Sequence, residues 1–66
     1  MEDLTLTKVW EAYKDDSSRT VYARTKGLAK RFGCQLIGSM NTVNEVEIFI
    51  SKEDRKRLKN NKYIIR

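Results

Sequence analysis

Residues 19–32, RTVYARTKGLAKRF, set apolar and basic side chains on opposite arcs of a helix. Val21, Thr25, Leu28 and Phe32 follow one another at intervals of four, three and four residues, the spacing of a single helical face. Ala29 and Tyr22 flank that stripe. Arg19, Arg24, Lys26, Lys30 and Arg31 fall on the other arc, which they share only with Ala23 and Gly27. This pattern predicts an amphipathic basic helix over 19–32, capped by Ser17 or Ser18 and stopped by Gly33 in the left-handed conformation. Gly27 would cost such a helix about 1 kcal/mol relative to alanine. On the exposed face, it would either let another backbone approach closely or simply be tolerated.

A helix with one apolar stripe needs a surface to lie on, and the remaining sequence offers strands. Residues 45–50, EVEIFI, are rich in β-branched side chains. Val46, Ile48 and Ile50 share one face, and Phe49 shares the other with Glu45 and Glu47. CQLIGSM, residues 34–40, reads as a preceding strand joined to it through NTVN, with Gly38 marking a bulge or close approach. KYIIR reads as a short last strand. SKEDRKRLKNN opens with a serine cap, places Glu53 and Asp54 in the first turn and follows them with bases, which suits a helix dipole; with only Leu58 as anchor, it reads as either a single short helix or a basic loop. Residues 4–13 match both periods; their threonines favour a strand. The expected fold is a small α+β domain over residues 1–66. It is a two-layer sandwich of order β-α-β-β-(α)-β, the basic helix packed on a three- or four-stranded, mainly antiparallel sheet, akin to the split β-α-β arrangement.

A rival winding starts from GLAKRFGCQLIGSMNTV. The run LAKRFG, followed by a small residue, resembles the second helix and turn of a helix-turn-helix. That resemblance covers about 17 residues and implies a winged fold. Residues 35–43 would be the recognition helix, with Leu36, Met40 and Val43 inward and Gln35, Ser39 and Asn41 as base readers. EVEIFI and KYIIR would form the wing. Gly38, inside that recognition helix, departs from the pattern.

Charge is segregated along the chain. The net charge is +5, yet residues 17–33 carry five bases and no acid, and residues 51–66 carry seven bases against Glu53 and Asp54. The stretches 1–16 and 34–50 are mildly acidic. Side chains that neutralise phosphates gain affinity by releasing counterions, which calls for lysines and arginines on one surface. The fold must bring the two basic segments together for their sum to act.

Catalytic chemistry finds little support. With no histidine, there is no ordinary general base near neutrality and no Ser-His or Cys-His nucleophile. Neither phosphate-cradling glycine motif occurs. Asp15 and Asp16 sit in DDSSR, a run of turn residues. Cys34, the single cysteine, reads as a small core hydrophobe and excludes an intrachain disulfide. No cofactor or metal is expected. No apolar run approaches the roughly 20 residues that span a bilayer, and the acidic opening MEDLTLT is unlike a targeting peptide. A cytoplasmic setting is expected, which for a phage-encoded chain would be the host cell.

The sequence therefore points to a non-enzymatic nucleic-acid-binding protein, of regulatory type, contacting DNA or RNA phosphates with low sequence specificity, as a monomer or homodimer. Its expected contacts are Arg19, Arg24, Lys26, Lys30 and Arg31 on the first basic segment, and Lys52, Arg55, Lys56, Arg57 and Lys59 within the second, 52–62. Glu45 and Glu47 beside Phe49 argue against base stacking on the sheet. The competing reading is a small interaction module, such as a phage- or mobile-element-encoded inhibitor or adaptor, docking on an acidic host protein.

Overall fold

The computed structural model describes residues 4–66; Glu2 and Asp3 of the acidic opening stretch lie outside the described residues. The elements run β1 (Thr5–Tyr13), β2 (Thr20–Ala23), α1 (Lys26–Leu36), β3 (Thr42–Ile50), α2 (Lys52–Asn61) and β4 (Tyr63–Ile65). The four strands form one antiparallel sheet in the order β3-β1-β2-β4. β2 and β3 are both antiparallel to β1 and therefore parallel to each other. α1 connects them across β1, which makes a split β-α-β unit.

The α+β class, the antiparallel sheet and the packing of the basic helix on it match expectation. The order of elements differs. Residues 20–23 form a strand, so the helix starts at Lys26 and not at Arg19. Val21 and Ala23 point to one face of the sheet and Tyr22 to the other, and every one of them meets apolar neighbours. A strand covered on both faces loses its alternation, and TVYA then fits a helical stripe by coincidence. The N-cap is accordingly Thr25, whose Oγ1 accepts from the Leu28 amide at 3.2 Å, and not Ser17 or Ser18.

Residues 34–36 continue α1, and 37–41 are a turn leading into β3, so CQLIGSM is not a strand. The winged helix-turn-helix also falls. Its recognition helix would span that turn and the start of β3, Met40 is 80% exposed, and Asn41 is buried. Gly33 is not the helix stop; it lies buried inside α1. A Cβ there would stand 2.8 Å from the Ala12 Cβ and 2.9 Å from the Asn41 Oδ1, so its missing side chain lets α1 settle onto β1. The left-handed glycine is Gly38, at φ +124°, whose amide donates to the Gly33 carbonyl at 3.0 Å.

Two apolar clusters lie on opposite faces of the sheet. On one, Ala29 of α1 packs on Ala12, Val21 and Ala23, bordered by Trp10, Leu28, Phe32, Val43 and Tyr63. Phe32 and Tyr63 rings meet at 4.5 Å between centroids. On the other, Leu58 of α2 packs with Val9, Ile50 and Ile64. Strand alternation sends neighbouring residues to opposite faces, and the register aligns Ala12 with Val21 and Val43, and Val9 with Val46. α1 thus covers one side, and α2 adds cover to the other.

Candidate nucleic-acid interface

β2 ends at Ala23, aligned with Trp10, while β1 and β3 remain paired as far as Thr5 and Ile50. Residues 5–9 of β1 therefore have no strand partner on the β2 side among the described residues. Beside this gap the chain turns at Arg24 and Thr25 toward α1, and α2 passes beneath. The space left between them is a cleft of about 410 Å³, lined by Thr7, Lys8, Val9, Arg24, Ile50, Arg55, Leu58 and Lys59.

Its cations come from both basic segments. Arg24 stands at the end of β2. Arg55 and Lys59 are one helical turn apart on α2 and share a face. Leu58 fixes that face by entering the apolar cluster below. No acid is among the described lining residues. Alternation carries the Lys8 side chain to the α1 side of β1, so this lysine contributes at the rim. Lys8 and Thr7 had no signal in the sequence; only the early end of β2 brings them here.

The other expected contacts scatter. Lys26 and Arg31 are exposed on α1, on the far side of the sheet from α2. The Lys30 ammonium donates to the Asn41 carbonyl at 3.0 Å and so braces the turn between α1 and β3. Arg19 is exposed in the β1–β2 connection, where its amide donates to the Ser17 Oγ at 3.2 Å. Lys52 and Lys56 are exposed on α2. Arg57 lines a separate cleft of about 360 Å³ with Asn61, Tyr63, Ile64 and Ile65. Arg19 and Arg24 thus flank a strand and do not share a helix face with Lys26, Lys30 and Arg31.

Ion pairing leaves the cleft alone. The described residues hold two ion pairs, Lys14–Asp16 at 3.8 Å and Arg66–Asp54 at 3.0 Å. Neither uses a lining residue. Cys34, expected in the core, is exposed, and its sulfur lies 3.6 Å from the Asn41 amide nitrogen. Asn41 takes the buried position, where its side-chain amide donates to the Gly38 carbonyl at 2.7 Å. Among the described residues, no helix is long and apolar enough to cross a membrane. Compared with family models, curated proteins and solved structures, the chain finds no match.

Proposed function

We propose that the protein binds nucleic acid through its phosphate backbone, with the cleft between β1 and α2 as the grip. The observation that carries this reading is the meeting of Arg24 with Arg55 and Lys59 at one cleft without a lining carboxylate. Arginines match two phosphate oxygens with their planar fork, and a lysine supplies a point charge. Strand-edge amides beside the cleft add neutral donors. Lys26 and Arg31, on the other side of the sheet, add long-range attraction rather than contact. With backbone contacts dominant, sequence specificity is low and affinity falls with salt.

The test is fluorescence anisotropy with a labelled DNA duplex and a labelled RNA single strand. Reversing Arg24, Arg55 and Lys59 to glutamate is expected to abolish binding to at least one of them. Reversing Lys26 and Arg31 changes net charge on the opposite face and is expected to weaken it only modestly. Equal losses from both sets would reject the cleft as the site. An acidic protein is the competing ligand, favoured by the unpaired edge of β1 beside the same cations. Capture of a protein that survives nuclease treatment and is lost on charge reversal in the cleft, with no oligonucleotide binding, would replace the nucleic-acid reading.

A further inference from the structure

The sheet ends on β3, nine residues long, whose outer edge pairs with no described strand. Such an edge presents a row of unpaired amides and carbonyls, a template for another strand. Its side chains carry a pattern. Val43, Glu45, Glu47 and Phe49 point to the α1 side of the sheet, beyond the reach of α1 at the Phe49 end. Phe49 is 60% exposed, and Leu6, directly across on β1, is 50% exposed. Leu4, just before β1, is exposed as well. Glu45 and Glu47 are exposed, and neither belongs to an ion pair among the described residues.

Two copies of β3 do not suit each other. In the fully overlapped antiparallel register, Glu45 of one copy lies against Glu47 of the other, twice over, and like charges directly opposite are destabilising. Phosphate is repelled by the same two carboxylates. The complement of this edge is an extended segment with cations where β3 has acids and an apolar side chain where β3 has Phe49.

We infer that the β3 edge takes up an extended basic segment of another protein as a fifth, antiparallel strand. In its own direction that segment reads apolar, then cationic at the second and fourth positions after it. Main-chain hydrogen bonds along β3 provide affinity, and Glu47, Glu45 and the Phe49–Leu6 patch set the register. This surface adjoins the cleft at Lys8, which lies directly across from Glu47, but it makes no use of Arg24, Arg55 or Lys59.

The probe is a blocked, labelled nonapeptide, TFVKVKTVT, titrated with the full chain by anisotropy. Saturable binding is expected, weakened roughly tenfold or more by Glu45→Lys with Glu47→Lys, and similarly by Phe49→Ala. Reversing Arg24 and Arg55 to glutamate should not weaken it, and long-range attraction to the cationic peptide rises if anything, whereas oligonucleotide binding is lost; this separates the site from the phosphate grip. The decisive control alters only the peptide: N-methylation of the amides facing β3 removes strand pairing and keeps the charge. Equal affinity for the methylated peptide would overturn the inference, as would no binding of the parent peptide. It also fails if sedimentation shows a dimer of this chain that Phe49→Ala dissociates, since the edge would then belong to a second copy.

Discussion

Single atoms decide how closely α1 meets the sheet. Gly33 has the Ala12 Cβ and the Asn41 Oδ1 where its own Cβ would go, so Gly33→Ala must push the helix away or displace a buried amide. It is expected to destabilise by about 2 kcal/mol, in the range of overpacked cores. Gly27 has nothing within 4 Å of the same construction. Gly27→Ala is expected to stabilise by about 0.5 kcal/mol through the unfolded chain. Urea denaturation of both variants checks the contrast, and equal signs would refute it. Tyr22 gives a pH dependence. Burial raises its phenol pKa above the ordinary value, the nearby Glu11 carboxylate adds to this, and Arg66, 5.8 Å from the ring centroid, opposes it. A folded pKa above the unfolded one means stability present below about pH 10 and lost as pH rises past the folded value. Tyr22→Phe should therefore lose less stability than wild type between about pH 9 and 11 (about one unit either side of the ordinary value) in denaturant titrations.

Elements with a local reason to exist were legible in the chain. β1 carries threonines; EVEIFI carries alternation and β-branching and lies within β3; KYIIR contains β4. Ser51 caps α2 by accepting from the Asp54 amide at 3.2 Å, with Glu53 and Asp54 in the first turn as the dipole prefers. What misled was non-local. Gly33 follows Phe32 as a stop glycine would, but its use is set by Ala12, which lies on the sheet face directly under α1 yet far away in sequence. TVYA sits between two helices' apolar clusters, so its strand period is hidden. The cleft was half legible: the bases were visible, but their meeting depends on where β2 ends. α2 hangs on one buried apolar residue, Leu58. Leu58→Ala is expected to cost about 3 kcal/mol. Amide exchange in residues 52–61 should then accelerate ahead of that in β1 and β3, and uniform acceleration would contradict this view of α2.

At the scale of the whole molecule, a chain of 66 residues buries about 60% of its unfolded surface and is only marginally stable. Gathering like charges at one cleft works against that margin. An anion that binds the folded form alone relieves it, so a polyphosphate or oligonucleotide in excess at low salt should raise the Tm, and do so less for the variant with Arg24, Arg55 and Lys59 reversed. The opposite placement of α1 and α2 also divides the surface into a cationic cleft on one side and an acidic, apolar strand edge on the other. The most direct measurement is a chemical-shift titration of the isotope-labelled protein with whichever oligonucleotide binds more tightly. The account predicts the largest shifts at Thr7, Arg24, Arg55 and Lys59, with little change at Lys26, Arg31, Glu45 and Glu47. Shifts centred on the outer face of α1, with the cleft silent, would contradict it.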